Sequence, residues 1–454
     1  MLVSVFAACG ETGPSEATTE AVPGAVTTPE PGTEEDTSLR PDLPDTVWNR
    51  EFRILGGGDT RNNSFPSFEL YAEELEGEAM NDAIFNRNET IRGKYGITIE
   101  QTLEKDTDTI IAKDYSAGED RFDLVFAYIK KVGGLAQKGY FVDINTIDNV
   151  DLEKPWWNSN INDVVSVKGH VYYASNDFSL RDKNRVQVLM CNDKLREENK
   201  LEAVSGLVRS NAWTAEKMNE YVTAVSIDLN GDGQHTSTDQ YGLVVHSYDA
   251  FAALCFGCGL RLIDKDDTDG LVIVDDPDRN ITAIDAVFSF CRTETFMTPE
   301  HYNRNWDISF DTYCEGRSLF NLTLLHSVGN YNKDCEFDFT VCPLPKLNAD
   351  QEKYNTIPDV FCMLFAVPVT CSDTAFAGFA LEAYAYASTD TTLVTFIELL
   401  CKTRNVRNAE SVEMINVILD GVVYDNSIFY YETVGLYGMQ SRDSYAITHG
   451  QPKK

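Results

Sequence analysis

Phe122-Asp123-Leu124-Val125-Phe126-Ala127-Tyr128 is the stretch on which the fold turns. Its apolar centre shows no polar alternation, which is the pattern of a strand buried on both faces, and a helix is predicted just before it. Such a strand belongs in a parallel sheet covered by helices. Upstream, Glu51-Phe52-Arg53-Ile54-Leu55 reads as a short strand that ends at Gly56-Gly57-Gly58-Asp59. An amphipathic helix opens at Gly77-Glu78 and runs to Lys94, Tyr95-Gly96 closes it, and Ile97-Thr98-Ile99-Glu100 is the next strand. The first unit is therefore strand, helix, strand. Open sheets of this kind bind ligands at the carboxyl ends of their strands, here Gly58-Asp59 and Ala127-Tyr128.

The chain has 454 residues, too many for one ordinary core, so two lobes are expected. Its 72 acidic and 38 basic residues give a formal charge of −34, which excludes nucleic acid as a partner because phosphate backbones are gripped by Lys and Arg. Beyond the first residues the apolar runs are short, Val360 to Val369 being typical, and nothing spans a bilayer. From Gly10 to Thr46 the chain holds six of its 15 prolines and no aromatic residue. That composition cannot offset its conformational entropy and reads as a disordered acidic tether, residues 10–47. Cys255-Phe256-Gly257-Cys258 has redox or zinc spacing, yet no second pair completes a zinc site. The reading is core thiols or an incidental disulfide.

Several pieces, in order, carry a resemblance. Phe122–Tyr128 followed by Gly133-Gly134-Leu135-Ala136-Gln137-Lys138-Gly139-Tyr140-Phe141-Val142-Asp143-Ile144 is similar to the first-lobe signature of extracellular solute-binding proteins of sugar-type ABC importers. Gly169-His170-Val171-Tyr172-Tyr173-Ala174 resembles that family's strand before the first crossover, and Val188-Leu189-Met190-Cys191 its crossover strand. Cys191 stands where an aromatic is usual, and the order of Asp193 and Lys194 is reversed. Ala212-Trp213-Thr214-Ala215-Glu216 looks like the family's helix start, with Thr214 as N-cap. Tyr313–Phe320 and Val341-Cys342-Pro343-Leu344-Pro345-Lys346 continue the series.

The resemblance implies an α/β, two-lobed periplasmic-binding-protein-like fold with crossover hinges and an interlobe cleft. Crossovers are expected near Leu180–Arg185, Cys362–Ala366 and Asn405–Asn408. Lobe 1 would take residues 48–183 and 364–405, lobe 2 residues 184–363 and 406–454. Phe6-Ala7-Ala8-Cys9-Gly10 resembles a bacterial lipoprotein signal, with residues 1–9 as a truncated leader and Cys9 as the lipidated residue. Phe6 departs from the usual Leu. Two acyl chains anchor durably where one does not. The expected protein is a monomer on the extracellular face of the membrane, held by its lipid, that delivers a carbohydrate or other small polar solute to ABC permease subunits.

Asp228-Leu229-Asn230-Gly231-Asp232-Gly233-Gln234-His235-Thr236-Ser237-Thr238-Asp239 fits a twelve-residue calcium loop. Oxygen-bearing side chains fill places one, three and five at Asp228, Asn230 and Asp232, and Gly233 stands where the chain must turn sharply. Gln234 would give its carbonyl, Thr236 its hydroxyl or a bridging water, and Asp239 closes the shell. A dockerin would need a second loop, and at Asp264–Gly270 the alignment puts Lys265 in the first place. The expected cofactor is therefore structural Ca2+.

Sugar sites combine aromatic platforms with hydrogen-bonding side chains. Tyr128, Trp156, Trp157, Tyr248 and Trp306 are the candidate platforms, with one of the paired tryptophans packing and the other facing the cleft. Asp59, Asn176, Asp177 and His326 are the polar candidates. No catalytic residue is assigned: Gly-x-Ser-x-Gly, His-Glu-x-x-His, the phosphate loop and the dinucleotide fingerprint are all absent from the sequence. The alternatives are a glycosidase, which needs only two carboxylates, and a surface adhesion protein without a transported ligand.

Overall fold

A computed structural model describes residues 41–431 except 59–68, 246–248, 293, 298–304, 306 and 403–408. Cys9, the tether up to Arg40, Asp59, Tyr248, Trp306 and the crossover at 405–408 thus lie outside the described residues.

The first strand, β1 (Arg50–Gly57), is followed by the helix Ala79–Tyr95 and by β2 (Ile97–Glu104), which pairs parallel to β1 along its whole length. Glu78 caps that helix by accepting the Asn81 amide at 2.8 Å. Gly96 ends it at φ 66°, a left-handed conformation in which a Cβ would also collide with Asn49 at 2.6 Å. After the helix Thr107–Ala117 comes β3 (Leu124–Tyr128), parallel to β1 on its other side. The strand and helix pattern expected from the sequence is present here.

Next come β4 (Gln187–Asn192), β5 (Tyr241–Val245), the hairpin β6 (Ile263–Lys265) and β7 (Leu271–Ile273), and β8 (Phe296–Met297). The series ends with β9 (Ser318–Leu324), β10 (Phe339–Cys342) and β11 (Met363–Ala366). They form two separate sheets. One has the order β11-β3-β1-β2, with β11 antiparallel to β3. The other has the order β10-β4-β9-β5-β8, with β5, β8 and β9 parallel to one another. The helix Thr374–Ser388 covers the first sheet, its Phe376 and Phe379 packing on Trp48 with centroids 5.0 and 5.5 Å apart. In the second, the helix Ala215–Val225 lies on β5, and Gly242 approaches it so closely that a Cβ would meet Val222 at 2.2 Å.

Between the sheets three lengths of chain run side by side. The first enters through the helix Arg181–Asn184 and reaches β4 at Gln187. The second returns from β10 toward β11, bonding the first through Gln187 N to Ile357 O (3.1 Å) and Asp359 N to Arg185 O (3.0 Å). The third pairs with the second at Thr356, whose N bonds Gly421 O at 2.9 Å. The passage near Leu180–Arg185 is where the sequence placed it. The second is complete by Cys362, since Met363–Ala366 is already β11.

Two expectations are corrected. Gly169–Ala174 is not a strand but two single bridges, Val167–His170 and Ala174–Phe365, because β11 runs beside it at one residue only. Residues 425–431 do not stay with the second lobe. The helix Ala409–Asp420 lies against β10, but Phe429 and Tyr430 then pack on the helix Ile129–Gln137, where a Cβ on Gly133 would meet Tyr430 at 2.7 Å. The β6–β7 hairpin also leans across: the Asp269 carboxylate accepts Gly169 N at 2.8 Å and Ser166 Oγ at 2.5 Å, and Lys265 Nζ bonds Asp163 O.

Candidate functional site

The carboxyl ends of both sheets converge on the first two crossing segments. Tyr128 closes β3, and Ile129 N bonds Cys362 O at 2.8 Å, which ties that strand end to the second crossing. Its half-buried ring stands edge-on to Phe361, with centroids 6.0 Å apart and planes at 87°. The Lys130 ammonium lies 4.2 Å from the Phe361 centroid and the Arg185 guanidinium 5.9 Å from it.

Two guanidiniums hold the floor. Arg181 Nε is 3.2 Å from Glu69 Oε1, and both side chains are buried. Glu69 is itself positioned by Arg87, which is inaccessible and donates to Glu69 O and Leu70 O at 3.1 and 2.8 Å. Arg185 forks onto Asp359, Nε to Oδ1 at 2.5 Å and a second nitrogen to Oδ2. Asp249, just past the end of β5, accepts Gln187 Nε2 at 3.1 Å and Val360 N at 2.9 Å. It thereby binds the second sheet to both crossings.

His326 follows β9. It is exposed, and its Nδ1 lies 3.2 Å from Asn184 O. Desolvation by the neighbouring protein, with the nearby Arg185 charge, lowers its pKa to about 4. Burial raises the pKa of Tyr128 against the opposing pull of Arg181 and Arg185. A tyrosine from one sheet and a histidine from the other thus sense the same two cations. Tyr128, Lys130, Phe361 and His326 keep accessible surface here, while Arg181, Arg185 and their carboxylates are buried beneath them and fix the framework.

Tyr128 lies at the end of β3 beside Phe361 of the second crossing, and His326 lies after β9 beside Asn184 of the first. Trp156, Trp157, Asn176 and Asp177 lie elsewhere, inside the first lobe. Both indoles are buried within the first lobe and donate to one carboxylate, Glu382, Trp156 to Oε2 at 2.5 Å and Trp157 to Oε1 at 2.8 Å. The expected cleft-facing tryptophan is absent from this pair because Glu382 satisfies both rings inside the core. Asn176 is inaccessible and accepts Phe178 N at 3.1 Å, and Asp177 accepts Thr389 Oγ1 at 2.9 Å while lying 3.4 Å from Lys183. Glu69, Arg181, Arg185, Asp359 and Phe361 were missed. Only Arg181 and Arg185 carried a signal, as charged residues inside the Leu180–Arg185 segment assigned to a crossover.

The loop at 228–239 turns through Gly231 and Gly233, at φ 73° and 80°. Asp228 accepts the amides of Gly231 and Gly233, each at 2.7 Å, and Asn230 and Asp232 accept those of Asp232 and Gln234, each at 2.8 Å. Burial works against ionising Asp239, but the amides of Thr236 and Leu229 outweigh it and hold its pKa below the usual range. Gln234 and Thr236 lie on the same turn. Among the described residues no three His, Cys, Asp or Glu side chains gather as a metal-holding group. Cys255 and Cys258 are buried thiols, and burial pushes Cys258 up to about 12.

No known family profile matches the chain, and no curated protein matches it in sequence. Solved structures do. An ABC substrate-binding protein from Listeria monocytogenes in complex with cycloalternan is 13% identical, covers 89% of this chain and 94% of its own, and has a TM-score of 0.59. A cyclo/maltodextrin-binding protein complexed with maltotetraose is 14% identical with a TM-score of 0.59, covering 88% of this chain and 92% of its own. A solute-binding protein of an ABC transporter from Thermotoga lettingae bound with α-D-tagatose is 15% identical with a TM-score of 0.56, covering 89% and 95%. Among the described residues no helix is long and apolar enough to cross a membrane. At this level of identity the likeness carries architecture, and the chain has the two-lobed α/β fold of these ABC solute-binding proteins.

Proposed function

We propose that the protein captures a carbohydrate between its lobes and presents it to an ABC permease without altering it. The observation that carries this reading is the convergence of Tyr128, Phe361 and His326 on the guanidiniums of Arg181 and Arg185, at the facing ends of two sheets whose fold is that of proteins solved with sugars. A ligand buried from both sides favours closure about the crossing segments, and closure changes the outer surface that a permease meets.

The decisive experiment is thermal-shift screening against mono- and oligosaccharides, followed by calorimetry and product analysis. One site per chain with the sugar recovered intact is expected; steady release of product, or no stabilisation by any saccharide, would overturn the reading. Lipid anchoring through Cys9, display outside the membrane, a monomeric state and a structural Ca2+ on Asp228, Asn230, Asp232, Gln234, Thr236 and Asp239 complete the proposal. A Cys9→Ser variant made with its complete leader should leave the membrane fraction.

A further inference from the structure

We propose that Cys314 and Cys335 are the site of a disulfide in this protein. The helix Asp307–Cys314 ends on the first, and the second caps the helix Val328–Asp334, its amide bonding Tyr331 O at 2.9 Å. The two Sγ atoms are 2.6 Å apart. Unbonded heavy atoms stay about 3.5–4.0 Å apart, whereas a disulfide measures about 2.05 Å, so the thiols already stand inside contact distance. Both are partly exposed, while Cys191, Cys255, Cys258, Cys291, Cys342, Cys362 and Cys371 are buried. An external oxidant therefore reaches this pair before those seven.

Cys314 also lines a cavity of about 1020 Å³ whose wall includes Asp193, Glu197, Glu315, Asp334 and Asp338. The Cys335 contact, burial and the Asp334 charge all hold the Cys314 thiol high. An acidic mouth disfavours anionic disulfides and admits cationic ones. The oxidant class is accordingly a small or protein-borne disulfide without negative charge. One cysteine, as thiolate, attacks it, forming a mixed disulfide and expelling one thiol. The second cysteine then displaces the other half, forming the Cys314–Cys335 bond. Two protons and two electrons pass from the cysteines to the donor, which leaves as two thiols. The bond closes a loop containing β9 and the turn that carries His326.

The test is disulfide mapping of the full chain after equilibration with cystamine, a cationic disulfide, and alkylation of remaining thiols in denaturant. The expected result is one joined Cys314–Cys335 peptide lighter by two hydrogens, with the other cysteines alkylated. Adding reductant should lower Tm by about 5 °C in the wild type, the scale for a loop of this length, and leave C314S/C335S unmoved. In Cys335→Ser, Cys314 should retain a cystamine half for want of a displacing thiol. Alkylation of both cysteines in the treated wild type, separate adducts on each, or pairing scattered over the buried cysteines would overturn the proposal. The wild-type map decides it whether or not the variants fold.

Discussion

Replacing Glu382 by Leu tests whether Trp156 and Trp157 are core or cleft. The carboxylate is inaccessible and accepts three donors: Asp151 N at 2.7 Å and Trp157 Nε1 at 2.8 Å on one oxygen, and Trp156 Nε1 at 2.5 Å on the other. Leucine would leave all three donors in the interior without a partner, at about 1–3 kcal/mol each. Part of that loss is returned, because burial raises the Glu382 pKa and so already penalises the charge that leucine removes. The expected net loss is about 3–5 kcal/mol. Glu382→Gln keeps one acceptor oxygen for the two donors that share it and sets an amide against the Trp156 indole, so about 1–2 kcal/mol is expected. Urea unfolding followed by circular dichroism and tryptophan fluorescence measures both. In a cycle with Trp157→Phe, the double variant should lose less than the sum of the singles. A Glu382→Leu protein within 1 kcal/mol of wild type would refute the core assignment, as would a Trp157→Phe protein that keeps its stability but binds sugar tenfold more weakly.

Tyr128→Ala should weaken saccharide binding by about ten- to a hundredfold, the scale of losing 1–3 kcal/mol of aromatic contact, with the unfolding midpoint little changed; calorimetry reads both. Chelation should lower Tm if the loop at 228–239 holds calcium, and Asp232→Ala should abolish that dependence; identical melting curves with calcium and chelator would remove the metal. His326 has a folded-state pKa of about 4, below its value of about 6.5 when unfolded, so it contributes stability above the unfolded value that is lost as pH falls through the folded one. Unfolding measured from pH 7 to pH 4 should show a smaller acid loss in His326→Gln, and an NMR titration placing His326 near 6.5 would contradict its surroundings.

Local order was legible where neighbours in sequence decide it. Glu78 and Thr214 cap their helices as their positions suggest, Thr214 accepting the Lys217 amide at 3.4 Å, and the apolar run through Leu124 is a buried strand. What failed depends on partners far along the chain. Nothing near Trp156 announces Glu382, so two large aromatics at a loop looked like platforms. Gly169–Ala174 has strand-forming residues, but whether a strand lies beside it is settled by where β11 runs. At the candidate site, Tyr128 and His326 were singled out for their places at or near strand ends. Arg181 and Arg185 were passed over because the stretch was read only as a connection. The charge pattern could have found them, since a guanidinium in a buried segment must have a carboxylate beside it, here Glu69 and Asp359.

The interleaving of the lobes has a consequence for how the protein is made. β1, β2 and β3 leave the ribosome early, yet the first sheet lacks β11 and its covering helix until Ser388 has been synthesised, by which time the whole second sheet is available. The Trp156–Glu382 contact alone spans 226 positions. Loop closure over such separations is slow, so the inner lobe, with its nearer contacts, is placed to fold first and the outer lobe to close around it. A chain stalled short of Met363 would expose Trp156, Trp157 and the edge of β3 together, which makes arrest at that point the stage at which this protein is most prone to aggregate.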